Sequence, residues 1–411
     1  MADQTNTTTN YYSHILILDA HTRQSLVLTR NLGKKNITIA ALTTFEKTNV
    51  PVFHSKWCDK KIISPFSEGT DEYISFLISY LKSNKVDLII PSSDGTITAL
   101  SKHRKRIEKY APLALTQDKA LKIASNKEKT LSIAKKIGIK IPKSISVFSK
   151  TDIKNALKLT GLPAVVKPSE SWVDDKNNSK RLSSVLVTTE KEAIKEATDL
   201  LKDGGKVIVQ QYLNGRREAV SMIYSKGKVY GKFAQWAKRV QPPLGGQSIL
   251  RQSIKVPSDI GDQAEQLIKT IQLDGYSETE FRRDDKGVPY LMEINPRLSA
   301  SVEIAVESGV DYPFLIYQLG RGKAIKQTFH YKTGNWMRHL GGDIITSLEA
   351  IKNYGKPGIS SPAKTIIDFF VSFFTPISYD YIDFGDPFPA FYAIIGFFQG
   401  LPALYRSSRN K

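Results

Sequence analysis

Between Gly275 and Ser301 the chain reads GYSETEFRRDDKGVPYLMEINPRLSAS, two short apolar-rich runs flanking a turn of Asp, Lys and Gly, which is the pattern of a β-hairpin. If Lys286-Gly287 is a two-residue turn, Asp285 pairs with Val288 and Glu280 falls directly opposite Glu293. Side chains alternate along a strand, so Asn295 joins Glu293 on that face, while Met292 and Ile294 point to the apolar side. Two carboxylates and an amide oxygen, with no histidine or cysteine beside them, suit a hard cation such as Mg²⁺, with Mn²⁺ as the alternative. Pro296 ends the pairing, and Arg297 follows with a planar fork suited to phosphoryl oxygens.

Three other segments carry groups of the matching kind. Lys167 closes the β-branched run PAVVKP, where a strand-end ammonium can hold an α-phosphate; a surface lysine is the plain alternative. The run VIVQQYLNG delivers Gln210, Gln211, Tyr212 and Leu213, whose backbone and amide edges suit adenine. The loop AQWAKRVQPPLGGQ brings Lys238 and Arg239 beside a flexible Gly245-Gly246 pair, and reads equally as a carboxylate-binding loop or as an ordinary turn.

The elements that must hold these groups fall into blocks. His14–Leu18, a helix over Gln24–Leu32, Ile37–Ala41 and Asp87–Ile90 alternate as strands and helices of a parallel sheet. The first turn, DAHTRQS, lacks the glycines that let a backbone approach a pyrophosphate, so a Rossmann-like sheet without its dinucleotide site is expected. At a later strand end, Pro91-Ser92-Ser93-Asp94-Gly95 reads either as a ligand-facing loop or as a helix cap by Ser93 or Asp94. A helix over Asn126–Ile137 follows, capped by Ser125 or Asn126 and stopped by Gly138. From Leu162 the texture is strand-rich, and beyond Gly322 the chain becomes aromatic, with TIIDFFVSFF and PFPAFYAIIGFFQGLPAL expected as a separate tail.

The composition bounds what this can be. The 411 residues are 41% hydrophobic and 24% charged, enough for two or three packed domains. Lone Cys58 rules out an internal disulfide framework and fits a cytoplasmic compartment. The first ten residues lack the basic and apolar regions of a secretory signal and read as a disordered tail. The net charge of +19 is spread along the chain without any nucleic-acid-binding motif, so phosphate groups rather than nucleic acid are the expected anions. The apolar run Phe388–Phe398 is shorter than the roughly 20 residues that cross a bilayer. An apolar hairpin followed by Arg406, Arg409 and Lys411 suits peripheral contact with an anionic membrane, and its apolar surface suits a homodimer; packing back onto the domain is the alternative.

Taken together, EINPR after a strand ending in EF, VVKP, VQQYLNG, and NKEKT before GIKIP resemble the ATP-grasp enzymes, nearest to the carbamoyl-phosphate-synthase-like and D-aspartate-ligase-like members. The resemblance runs from about Asn10 to Gly322 and implies α/β and α+β architecture. Residues 1–10 would be a tail, 11–118 a Rossmann-like pre-ATP-grasp domain, 119–325 the ATP-grasp domain and 326–411 an aromatic-rich C-terminal region. It implies Lys127 and Lys167 on the phosphates of ATP, Gln210 to Leu213 at adenine and Glu218 at the ribose. Glu280, Glu293 and Asn295 would hold magnesium, and Arg297 would meet the phosphate or acyl phosphate. The implied activity is a cytoplasmic ligase acting on small carboxylate and amine substrates. Carboxyphosphate chemistry of the carbamoyl-phosphate type and a non-catalytic ATP sensor or membrane-peripheral scaffold are the alternatives. One departure stands out: where family members carry a glycine-rich flap, this chain has SESWVDDKNNSKRLSS, leaving Ser169, Ser171 or Lys180 to supply donors.

Overall fold

The computed structural model describes residues 14–47, 49–173, 180–243, 245–356 and 358–409; the expected tail at 1–10 lies outside them. Strands β1 (His14–Ile17), β2 (Thr38–Thr44), β3 (Lys60–Ser64) and β4 (Leu88–Ile90) form a parallel sheet in the order β3-β2-β1-β4. The flanking helices are α1 (Arg23–Gly33), α2 (Asp71–Ser83) and α3 (Asp94–Lys102). Burial of both sheet faces explains the near-continuous apolar runs. Asp19 adopts φ 59° in the glycine-free turn after β1. Its carboxylate accepts bonds from the amides of Ser92 and Ser93, each 2.8 Å, and from the Thr96 hydroxyl at 2.5 Å. The mouth of the sheet, where such folds bind ligands, is thus filled by the chain's own aspartate. Ser93 caps α3, as one of the two sequence readings has it.

The second sheet, β5-β10-β6-β9, is antiparallel and contains β5 (Ser144–Val147), β6 (Ala164–Pro168), β9 (Val185–Val187) and β10 (Val207–Gln211). A short pair, β7 (Trp172–Val173) with β8 (Lys180–Arg181), hangs from it. Helix α4 (Lys127–Lys136) precedes it, capped by the Asn126 side chain. The third sheet has the order β15-β14-β11-β12-β13-β16-β17. Its strands are β11 (Arg217–Ser225), β12 (Lys228–Gln241), β13 (Gln247–Ile254), β14 (Gly275–Arg283), β15 (Pro289–Asn295), β16 (Trp336–Arg338) and β17 (Ile377–Tyr379). Helix α5 (Ser258–Ile271) buries Ile260, Ala264, Leu267 and Ile268 against one face. The other face shares a core with the first sheet, in which Ile15 and Ile17 meet Phe233, Tyr276 and Tyr312.

The C-terminal region is not the separate tail that its composition suggests. Beta strand β16 pairs antiparallel with β13 and parallel with β17, so this segment extends the body's own sheet. Helices α6 (Leu340–Lys352), α7 (Pro362–Val371) and α8 (Phe388–Arg409) pack around it. The expected apolar hairpin is one helix, α8, tied to the first sheet's neighbourhood by Asn49 Nδ2 donating to the Tyr392 carbonyl at 2.7 Å. Among the described residues no helix is long and apolar enough to cross a membrane.

Buried carboxylates fasten this region. Asp380 accepts from Arg23 at 2.9 Å and from Arg251 at 2.5 Å. Asp386 accepts from Arg30 Nε at 3.0 Å, the Ser55 hydroxyl at 2.7 Å and the Lys56 amide at 2.9 Å. Asp380 is buried, which opposes ionisation, but Arg251 and Arg23 hold its carboxyl below the usual carboxylate range. The stability it confers is therefore present above about pH 4 and is lost as pH falls. Asp380→Asn leaves two buried guanidiniums short of a countercharge and is expected to cost about 3–5 kcal/mol, read as a lower denaturant midpoint by tryptophan fluorescence. An unchanged midpoint would show that these arginines do not depend on it.

Candidate functional site

The β14–β15 hairpin places Glu280 opposite Glu293, though by a different turn from the one expected. Asp285 and Val288 do not pair as the two-residue turn requires; instead the Asp284 amide donates to the Val288 carbonyl at 2.9 Å, and Arg283 faces Pro289. Gly287 supplies the left-handed residue at φ 77°. A bulge between Glu280 and Phe281 then skips Met292 and restores the opposition of the two glutamates. As a result Ile294 lies in the apolar cluster under the sheet, while Met292 is half-buried outside it.

Cations converge on this pair from three elements. Lys127, the first residue of α4, reaches Glu293 at 3.4 Å and donates to the Ser171 hydroxyl at 2.9 Å. Arg217, at the start of β11, donates to Glu280 Oε2 from Nε at 3.1 Å and from Nη2 at 2.6 Å. Asn295 Nδ2 donates to Glu280 Oε1 at 3.1 Å. Lys167 is buried at the end of β6, where desolvation and the nearby Lys127 lower its pKa to about 8 against the opposing pull of Glu293 and Glu280. Burial pushes Glu280 up to about 7, with Arg217 opposing and Glu293 adding to the rise. Glu293 goes the other way: burial would raise it, but Lys127, Lys167 and Arg217 together hold it below its ordinary value. The hairpin thus holds one firmly ionised carboxylate and one near its midpoint at neutral pH.

The other expected residues are distributed around this centre. Gln210 is buried, donating to the Ser144 hydroxyl at 2.8 Å, while its Oε1 has no partner. The Gln211 amide donates to the Lys143 carbonyl at 2.8 Å, Tyr212 lies under the Arg282 guanidinium at 5.1 Å, and Leu213 is buried. Ser169 accepts from the Lys127 amide at 2.8 Å through its carbonyl. Flap residues 174–179 lie outside the described residues.

Three expected residues have other partners. Glu218 accepts from Arg283 at 2.7 Å and Arg216 at 3.1 Å rather than presenting an open carboxylate. Arg297 grips Asp94 bidentately at 2.5 and 3.0 Å, so the fork expected for phosphoryl oxygens joins the body to α3 of the first sheet. Burial opposes it, but Arg297 and then Arg181 and Lys127 keep the Asp94 carboxyl down at about 2. Arg239 is held by fully buried Asp343 through two 2.6 Å bonds, so it is a structural cation rather than an open substrate ligand. Lys238 is exposed, 5.8 Å from the Trp336 ring centroid.

Arg217 was missed by reading the sequence, and so was the pairing of Asp94 with Arg297, since Asp94 was expected only in a ligand-facing loop or as a helix cap. Arg217 is diagonal to Glu280 only because Ala219 pairs with Glu280 across β11 and β14, a register that no local pattern reveals. Glu278 was also missed: it sits opposite Asn295, accepting from Gln235 at 3.0 Å and Ser221 at 3.2 Å.

Among the described residues no group of three or more His, Cys, Asp or Glu side chains gathers as a metal site. The two glutamates and an amide nevertheless fit a hard cation that takes its remaining ligands from phosphate and water. Burial, and then the facing Glu293, raises the Glu280 carboxyl, and a cation between the two glutamates would favour its ionised form.

A family model described as "ATP-grasp in the biosynthetic pathway with Ter operon" matches residues 204–340. The chain is 24% identical over 250 residues to the carbamoyl phosphate synthase large chain of Caldanaerobacter subterraneus subsp. tengcongensis, covering 59% of this chain and 22% of that protein. It is 25% identical over 182 residues to the D-alanine–D-alanine ligase of Flavobacterium johnsoniae, covering 41% and 54%. It thus spans well under two thirds of either relative. Among solved structures, the biotin carboxylase domain of the Hydrogenobacter thermophilus 2-oxoglutarate carboxylase, in complex with MgADP and bicarbonate, superposes with a TM-score of 0.62 at 16% identity, covering 78% of this chain and 72% of that one. That likeness establishes the fold.

Because its folded pKa lies below the unfolded one, Lys167 destabilises the free protein at pH 7, and stability rises as pH climbs through 8 towards 10.5. Lys167→Met, similar in volume and uncharged, is expected to raise the unfolding midpoint at pH 7 by the equivalent of about 1–3 kcal/mol. A lower midpoint would mean that the two glutamates more than offset the burial of the ammonium.

Proposed function

We propose that this chain, which carries an ATP-grasp domain, is an ATP- and Mg²⁺-dependent ligase that activates a small carboxylate as its acyl phosphate and passes the acyl group to an amine. The observation that carries this reading is the convergence of Lys127, Lys167 and Arg217 on the opposed Glu280 and Glu293. Lysines bind phosphate oxygens as point charges, and paired carboxylates hold the cation that accompanies them.

In this reading residues 11–118 lead a body spanning 119–325. Lys127 and Lys167 hold the phosphates, and Gln210 to Leu213 line the adenine edge, where the unpartnered Gln210 Oε1 is an acceptor awaiting a donor. Glu218 meets the ribose by giving up part of its hold on Arg216 or Arg283. Glu280, Glu293 and Asn295 would hold Mg²⁺ (or Mn²⁺), Asn295 through its amide oxygen, with Arg217 keeping its bonds to Glu280. When bound, that ion neutralises charge on the phosphate oxygens. The substrate carboxylate attacks the γ-phosphorus and ADP leaves; the amine nitrogen then attacks the acyl carbon, the single bond to the bridging oxygen breaks, phosphate leaves, and the nitrogen gives up a proton to water. No covalent enzyme nucleophile is needed, since positioning and fixed charge account for catalysis. Arg297 meets the transferred phosphoryl group by exchanging it for Asp94, and exposed Lys238 guides the carboxylate while Arg239 stays with Asp343. A cytoplasmic location is part of this reading, supported by the single cysteine.

The C-terminal helices support a further contact. Phe388, Phe391, Ile394 and Phe398 are all exposed at helical spacing along α8, which carries no acidic residue and ends with Arg406 and Arg409. We assign this stripe to peripheral contact with an anionic membrane surface. Co-sedimentation with phosphatidylserine vesicles, lost in Phe391→Ser/Phe398→Ser, is expected; a mass that doubles with concentration and no vesicle binding would assign the stripe to a homodimer instead.

The activity is tested by phosphate release from Mg·ATP across pools of amino acids, other carboxylates and amines. One pool is expected to stimulate release, and Glu293→Ala to reduce it by about 100-fold or more. Stimulation by bicarbonate alone would redirect the reading to carboxyphosphate chemistry. Nucleotide binding without stimulated release would make the chain a sensor, the role that the glycine-free flap and the Asp94–Arg297 lock favour.

A further inference from the structure

On the side of the third sheet that carries α5, away from Arg217 and Glu280, a cavity of about 640 Å³ opens between the β11–β12 turn, the end of β13, α5 and residues 327–333. Four lysines line it: Lys228 from β12's first position, Lys232 two turns of the pleat further on, Lys255 just past β13, and Lys269 from α5. One carboxylate answers them. Glu265 bonds Lys232 at 2.6 Å and Lys269 at 2.6 Å. Among the described residues, Lys228 and Lys255 have no acidic partner at all.

Glu265 answers Lys232 and Lys269 together, so with exposed Lys228 and Lys255 the lining carries a local excess of positive charge that favours an anion. The uncharged wall is mixed, with Gln327, His330 and Thr333 on it beside apolar side chains. Val229 and Val256 form part of it, Phe329 is 45% exposed at its rim, and Tyr331 stands beside it with its hydroxyl already committed to the Ile254 carbonyl at 2.5 Å. The volume falls within the roughly 300–1,000 Å³ of small-molecule sites.

We propose that this cavity binds a small phosphorylated molecule with a flat apolar portion, its phosphate between Lys228 and Lys255 and its ring against Phe329. Lysines suit phosphate as compact point charges, and the aromatic rim suits a ring. Nucleic acid is the less fitting polyanion, because the lysines surround a cavity and do not line a strip along which a backbone could run. The site is independent of the nucleotide reading: it shares no residue with the Glu280–Glu293 centre.

The test is titration calorimetry of the full chain with phenyl phosphate and with inorganic phosphate, for wild type and Lys228→Gln/Lys255→Gln. Both substituted side chains are exposed, so the unfolding midpoint and ATP binding at the other site should stay as in wild type. The expected result is phenyl phosphate binding more tightly than inorganic phosphate, and weakening at least tenfold in the double variant. Equal binding of phenyl phosphate by wild type and variant would overturn the assignment. So would a single-stranded oligonucleotide that binds more tightly than phenyl phosphate through the same two lysines, with a steep salt dependence.

Discussion

Everything at the centre of this molecule answers to one constraint: a β-hairpin that sets buried Glu280 face to face with half-buried Glu293. Like charges opposed across a strand pair repel, and burial removes the solvent that would screen them. The structure resolves this asymmetrically. Lys127 and Lys167 draw Glu293 into its ionised form, while burial raises the Glu280 carboxyl to about 7 despite Arg217 on one oxygen and Asn295 on the other. Each cation comes from a different element, α4, β6 and β11, so the hairpin's charge also fixes how the second and third sheets meet.

The same logic recurs at the molecule's other joints. The first sheet meets the body through Asp94 and Arg297, and the C-terminal segment meets both through Asp380 and Asp386. In every case one side supplies guanidiniums and the other a carboxylate held below its ordinary range or fully enclosed. Because Arg is always charged, a buried arginine left without its carboxylate is expensive, so these joints favour one arrangement of the three sheets over near alternatives.

The elements were legible where the pattern is local. Alternating apolar strands and capped helices show in the first block, and the Glu280–Glu293 opposition shows in the spacing of EF and EIN, because period and turn chemistry act over a few residues. The turn itself was not: a two-residue hairpin and a longer turn plus a bulge at Met292 bring the same glutamates together, and the sequence does not distinguish them. The roles of Arg217 and of the Asp94–Arg297 pair were invisible because they depend on a strand register and on a contact between residues 203 positions apart. Arg239 misled for the same reason: its partner Asp343 lies in a region that composition alone paints as an apolar tail. Residues whose partners are local can be read from the chain, and residues whose partners are brought by the fold cannot.

The clamp of Asp380 and Asp386 on α1 has a consequence for how the protein is made. Arg23 precedes Asp380 by 357 positions and Arg30 precedes Asp386 by 356. During synthesis the leading sheet can collapse early, since its strands and helices are close in sequence. Its two guanidiniums must then remain turned toward water until Asp380 and Asp386 have been made, and only then are they taken inside. This clamp therefore closes across a separation of more than 350 positions, joining a helix to carboxylates made long after it.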